Sequence, residues 1–209
     1  MPTVTWARVD PARRAAIIEA AEAEFGAHGF SSGSLNVIAR RAGVAKGSLF
    51  QYFADKRDLY AFIADIGSQR VRAYMEDCIR ELDPSRPFFE FLTDWLDVWV
   101  GYFADHPHER ALHAAASLEV DTDARISVRS VIHRHYLEVL RPLVRDAQVR
   151  GDFRHDADID ALMTRTSPMA FSRMSSTSLA VCGWHRYMNA SMRKTSCFRA
   201  ALITADASV

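Results

Sequence analysis

The 209-residue sequence predicts an all-α protein. Three observations carry this. Apolar residues recur at spacings of three and four along nearly every segment, and no run shows the alternation of a half-buried strand. Helix-start and helix-stop residues then cut the chain into pieces of helical length. At 49% hydrophobic residues the chain is also rich enough to bury a sizeable core.

The elements follow in order. Asp10-Pro11 opens a first helix, with Asp as N-cap and Pro at the first helical position. Ile17, Ala21 and Phe25, with Ile18 beside them, form its apolar stripe, and His28-Gly29 ends it. "SSGSLNVIARRAG" gives a short second helix, opened near Gly33-Ser34 and closed at Gly43. A third runs from about Lys46 to Phe53. Asp55 opens a fourth that extends to about Leu82, with Lys56 and Arg57 in its first turn, where cations oppose the helix dipole unless an anion lies nearby. After "DPSRP", Phe88, Phe91, Trp95, Trp99 and Phe103 mark a strongly apolar helix that ends at His106-Pro107. "HERALHAAASLEV" is a short helix. "DTD" opens a long one with the stripe Ile132, Tyr136, Leu140, Leu143 and Ala147, an internal Pro142 that predicts a kink, and Gly151 as its stop. Asp156 or Asp158 caps a further helix through Ile159, Leu162 and Met163. From residue 166 the pattern fails: this stretch holds eight serines and one acid, Asp206, of the 26 in the chain. Only Phe198 to Ile203 retains helical character, so residues 167–209 are left without assigned structure.

Composition narrows the function classes. Net charge is zero, so a nucleic acid would have to be met by a local patch. Cys78, Cys182 and Cys197 are odd in number and lack metal-ligand spacing, which argues for ordinary thiols in a reducing compartment. No apolar run reaches membrane-spanning length, and "MPTVTWARVD" lacks the apolar core of a signal peptide, so a cytoplasmic location is expected. His106, His108 and His113, and the pair His133 and His135, do not have the spacing of a metal site, and no nucleophile–base pair or phosphate loop is present; neither metal, cofactor nor catalytic residues are expected.

The segment from Ile38 to Tyr52 is more specific. Two short helices joined by a tight turn must cross closely, which needs a small residue at the crossing (Ala39), a residue tolerant of positive φ at the turn (Gly43), and inward apolar residues around them (Ile38, Ala42, Val44, Leu49). This is a helix-turn-helix in sequence form. It also holds two of the chain's three lysines, Lys46 and Lys56.

"IARRAGVAKGSLFQYFADKRDL" resembles the DNA-binding signature of TetR-family transcriptional regulators, and the likeness extends upstream through "AIIEAAEAEFGAHGF". It is dense from about Pro11 to Leu59; beyond that only the helical layout and "LVRDAQVRGDF" are family-like. The resemblance implies an N-terminal three-helix DNA-binding head, residues 10–57, and a helical effector-binding and dimerisation domain, residues 58–209. It implies a homodimeric regulator, most simply a repressor, that binds a near-palindromic double-stranded DNA operator and is released by a small-molecule effector. The implied DNA contacts are Ser34, Lys46, Gly47, Ser48, Phe50, Tyr52 and Lys56. Lys46 would reach a guanine edge or a phosphate, Gly47 would allow close backbone approach, and Lys56 with the first amides of the fourth helix would clamp a phosphate, supplying the anion that its position asks for. Phe50 stands where the family has Tyr, Ala45 where Ser or Thr caps the recognition helix, and Gly33 where Thr is common; each departure is expected to weaken binding. Phe62, Trp95, Trp99, Tyr102, Phe103 and Tyr136 would line an effector pocket suited to an apolar or aromatic molecule. Paired terminal helices usually make the family's dimer; Ser167 to Ser196 suits that poorly, so the dimer is expected to rest on Asp158–Met163 and Phe198–Ile203. The competing class is an all-helical small-molecule-binding protein or enzyme with a vestigial head, to which Phe50, Ala45 and the neutral charge point.

Overall fold

The structure is a computed structural model and describes residues 2–83 and 85–152. The expectations for Cys182, Cys197, the helix through Met163, and the dimer segments fall outside these residues. Among the described residues a 3₁₀ turn, Val4–Arg8, is followed by seven helices: α1 Pro11–Ser32, α2 Leu35–Arg41, α3 Lys46–Tyr52, α4 Lys56–Glu81, α5 Phe88–Asp105, α6 Pro107–Leu118 and α7 Thr122–Arg150. Among the described residues there is no strand.

The ends of these helices have local causes. The Asp10 carboxylate accepts from the amides of Ala12 (3.0 Å) and Arg13 (3.1 Å), with Pro11 in the first turn. Regular geometry in α1 breaks at Gly29, as His28-Gly29 predicts, and resumes for one turn. At α4, Asp55 accepts from the Asp58 amide (2.8 Å) while Asp58 accepts from the Ala54 amide (3.2 Å), a reciprocal cap. Asp121 caps α7 through the Ala124 amide at 2.7 Å. Beyond α7, the Asp152 amide reaches back to the Ala147 carbonyl at 2.9 Å, the six-to-one bond that a glycine stop provides. Pro142 lies inside α7. The buried line on α7 is Ala124, Val128, Ile132, His135, Val139, Val144 and Ala147, whereas Tyr136, Leu140 and Leu143 are half-buried. Ile132 and Ala147 of the expected stripe are thus buried, while between them the buried positions are His135, Val139 and Val144, each next to a residue of that stripe.

The chain divides into two compact units. Among the described residues, the first comprises 2–71 and 103–135; the second comprises 72–83, 85–102 and 136–152. In the first, α1 lies along α6 and packs on α2, and α2 packs on α3. Gly26 makes the α1–α6 approach close, since a Cβ there would lie 3.3 Å from Ala111 Cβ. Ile17, Phe25, Ile38, Leu49, Leu59, Tyr60, Ile63 and Leu112 form the core of this unit. Two of its buried acids are paired: Asp65 accepts from His135 (2.8 Å), Arg134 (2.7 Å) and Gln69 (2.9 Å), and Glu109 from Arg70 (2.8 Å), which also bridges to Glu22 (2.5 Å). The second unit buries Met75, Phe88, Phe91, Trp95, Trp99 and Tyr102. There Arg72 pairs with Glu138 and Glu76, and Arg86 with Asp94 and Glu90.

His113 gives the first unit a pH dependence. Its ring is buried 5.0 Å from that of Phe103, and burial pushes its pKa from the ordinary 6.5 down to about 4, against a smaller opposing effect of Glu109. Between those values the unfolded chain binds a proton that the folded chain refuses, so stability falls as pH drops from 6.5 towards 4. The full effect amounts to about 3 kcal/mol. His113→Leu is expected to flatten this limb of an unfolding curve measured against pH; an unchanged slope would show that His113 takes its proton in the folded state.

Candidate nucleic-acid interface

The turn between α2 and α3 is closed by the backbone. Gly43 has φ +65°, the Val44 amide donates to the Ala39 carbonyl (3.0 Å) and the Gly43 amide to that of Arg40 (3.3 Å). A Cβ on Gly43 would meet nothing within 4 Å, so the backbone angle and not space requires glycine. Ala39 is 3% exposed, as the smallness of a crossing residue requires.

Helix α3 has two faces. Leu49 and Tyr52, with Phe53 beyond the last turn, are buried; Lys46, Gly47, Phe50 and Gln51 are exposed and Ser48 is half-buried. Phe50 is 48% exposed, and an added Cβ at Gly47 would lie in open space. The outward face thus offers a cation, a gap, an aromatic ring and an amide. Ala45 occupies the N-cap without a side-chain bond, as its departure from the signature implies. Gln51, absent from the contacts that the signature implies, belongs to this face by spacing, four residues after Gly47.

Tyr52, implied as a phosphate contact, packs against the N-terminal turn. It is 6% exposed, with its ring 5.6 Å from that of Trp6. Trp6 also packs on Phe53 (5.1 Å) and Phe62 (5.5 Å), while the Thr3 amide and hydroxyl donate to the carbonyls of Tyr52 (2.8 Å) and Gln51 (2.6 Å). The N-terminal turn therefore satisfies the last carbonyls of α3, which a helix end otherwise leaves open. A single tryptophan in a polar leader was the available signal for this clamp; no local periodicity links it to residues nearly fifty positions on.

Ser34 is half-buried at the start of α2 and its hydroxyl makes no capping bond; its amide donates to Glu24 at 2.9 Å. Gly33 is explained by space: a Cβ would lie 2.6 Å from the Gly29 carbonyl oxygen and 2.9 Å from the Phe25 ring, so threonine does not fit without movement. This departure from the signature is a packing requirement.

Lys56 turns towards α1. Its ammonium lies 4.6 Å from the centre of the Phe30 ring and 3.4 Å from the Ser31 carbonyl oxygen. Burial lowers its pKa, partly offset by Glu119 and Glu24. The anion required at this helix start is therefore supplied, at least in part, from within the protein. Glu119 is 4% exposed and accepts from the amides of Phe30 (2.7 Å), Ser31 (3.2 Å) and Asp121 (3.0 Å) and from the Ser31 hydroxyl. It ties the end of α6 to the junction of α1 and α2. An acid between Leu118 and Val120 was its only mark in the sequence.

The implied pocket residues divide. Phe62 belongs to the Trp6 cluster, and Phe103 packs on His113, both in the first unit. In the second, Trp99 meets Tyr136 edge-on at 5.6 Å, Tyr102 meets Tyr74 at 4.9 Å, and Trp95 is buried. Among the described residues no cluster of three or more metal-ligating side chains occurs, and no helix is long and apolar enough to cross a membrane.

Residues 17–62, which hold the turn and both faces of α3, match the model of bacterial regulatory proteins of the tetR family. An HTH-type transcriptional repressor of Streptomyces coelicolor is 30% identical over 146 residues, 69% of each chain. The chain belongs to the TetR family. The HTH-type transcriptional repressor AcnR of Corynebacterium diphtheriae is 28% identical over 158 residues, 73% of this chain and 74% of that one. In fold, the TetR-family chain matches the fatty acid degradation regulator FadR of Bacillus halodurans with a TM-score of 0.61 at 20% identity, over 88% of this chain and 98% of the other. Membership makes this all-α chain, with its helix-turn-helix head, a transcriptional regulator, and its repressor relatives favour regulation over catalysis.

Proposed function

We propose that this TetR-family regulator is a homodimeric repressor whose α3 lies in the major groove of a near-palindromic operator, with its partner's α3 one helical turn away, about 34–36 Å. The observation that carries this reading is the outward face of α3, on which Lys46, Gly47 and Phe50 are free of the core while Leu49 and Tyr52 anchor the helix from behind. Lys46 meets a guanine edge or a phosphate, and Ser48 and Ser34 lie where hydroxyls reach the backbone. Lys56 contributes mainly by holding the end of α1, since part of its charge is matched by Glu119 and Glu24. An apolar or aromatic effector bound near Trp95, Trp99, Tyr102 and Tyr136 would release the operator by favouring a conformer with a different spacing of the two heads, which requires that it bind the two conformers unequally.

Selection of bound DNA from a random pool tests this reading and yields site, symmetry and spacing together. The selected duplex is expected to be an inverted repeat whose affinity falls steeply with salt. Lys46→Ala is expected to cost about tenfold in affinity and to reduce the salt slope by about one per half-site, with Lys56→Ala reducing it by less. A pool without enrichment, or binding indifferent to salt, would overturn the proposal.

A further inference from the structure

We propose that Phe50 and Gln51 form a specificity couple that reads neighbouring A·T pairs in each half-site. The inference rests on the reading of α3 as the recognition helix and adds the bases it selects. Phe50 is a large apolar side chain left 48% exposed on a seven-residue helix whose other aromatic, Tyr52, is buried. It has no hydroxyl, so a phosphate cannot be its partner. In the major groove the apolar feature of a base pair is the thymine C5-methyl. Gln51, the next residue, is also exposed, and a carboxamide matches the N6 donor and N7 acceptor of adenine in a bidentate pair. Gly47, three and four residues earlier, carries no side chain to hold the bases away from either.

The N-terminal clamp supports this. Thr3 binds the carbonyls of Gln51 and Tyr52, and Trp6 packs against Tyr52 and Phe53, so the turn that bears Phe50 and Gln51 is fixed at its free end. Reader side chains on a frayed final turn would discriminate poorly; here the turn is stitched to the core. The two residues also differ in what they demand. Lys46 accepts a guanine or a phosphate, whereas a thymine methyl and an adenine edge together admit only A·T pairs.

The experiment uses the full chain and the duplex selected from the random pool. Thymines are replaced one position at a time, in both half-sites, by deoxyuridine, and adenines by 7-deazaadenine. One thymine position is expected to lose about fourfold in affinity per half-site, the value of one buried methyl group, and one neighbouring adenine position about tenfold. Phe50→Ala should abolish the first sensitivity and keep the second; Gln51→Ala should do the reverse. Both positions are exposed, and unchanged thermal unfolding of each variant establishes that its fold is intact. If no thymine responds to loss of its methyl, or if Phe50→Ala and Gln51→Ala retain both sensitivities, the couple is wrong although the protein remains a DNA-binding regulator. If the chain enriches no DNA, the reading of α3 fails, and the couple with it.

Discussion

Glu119→Ala is expected to lower the unfolding free energy by about 4 kcal/mol, a large share of the 5–15 kcal/mol typical of a folded domain. The carboxylate, 4% exposed, accepts from three backbone amides and one hydroxyl. Its removal strands four part-buried donors at once, which costs more than the net worth of the bonds themselves. It also leaves Gly29 and Phe30 without the group that fixes the non-helical break before α2, since Glu119 Oε2 lies where a Cβ on Gly29 would approach to 3.1 Å. Glu119→Gln separates shape from charge. Burial alone would raise the Glu119 pKa, but the bonds from Ser31, Asp121 and Phe30 outweigh it and hold the carboxyl below its ordinary value. The stability it contributes is therefore complete above the ordinary carboxylate pKa and is lost as pH falls through the folded value. Glu119→Gln is expected to be destabilised at neutral pH and to show a shallower acid limb than the wild type. Denaturant unfolding at pH 7 and at pH 3 measures both. An alanine variant as stable as the wild type at pH 7 would mean that these amides find other partners.

The same residue shows where sequence reasoning stops. Helix boundaries were legible because they depend on neighbours: Asp10-Pro11, Gly43, Asp55 and Gly151 each act within a few residues, and each falls where the structure puts a helix end. The helix-turn-helix was legible for the same reason, since the crossing of α2 and α3 is set by Ala39 and Gly43 within one short stretch. What escaped was made by long-range pairing. Glu119 meets Ser31 across 88 positions and Thr3 meets Gln51 across 48. No periodicity joins such partners, and a buried carboxylate looks in sequence like any surface acid. The burial of Tyr52 escaped for a related reason: it depends on Trp6, which lies outside the signature. Gly33 is the converse case. A departure that looks like a loss of function against the family pattern is, in this chain, the only residue that clears the Gly29 carbonyl and the Phe25 ring.

Gly47 raises the opposite question, because nothing in the folded chain requires it. An added Cβ would meet no atom within 4 Å, and its φ is not in the left-handed region. Glycine within a helix is less favourable than other residues by up to about 1 kcal/mol. A position that carries this cost without an internal reason is explained by an external one, and the outward face of α3 supplies it: the backbone at Gly47 must come close to another surface. Gly47→Leu is therefore expected to fold at least as stably as the wild type, with a thermal midpoint unchanged or higher, and to bind operator DNA about 100-fold more weakly, since four added carbons would hold α3 away from the bases and weaken the contacts of Lys46 and Phe50 together. That loss corresponds to roughly 2.7 kcal/mol. Gly47→Ala, with one added carbon, should fall between. The opposed signs are the test, because a merely structural glycine loses stability and binding together. Binding of Gly47→Leu within threefold of the wild type would show that DNA does not approach this face of α3, and would move the recognition surface to another part of the head.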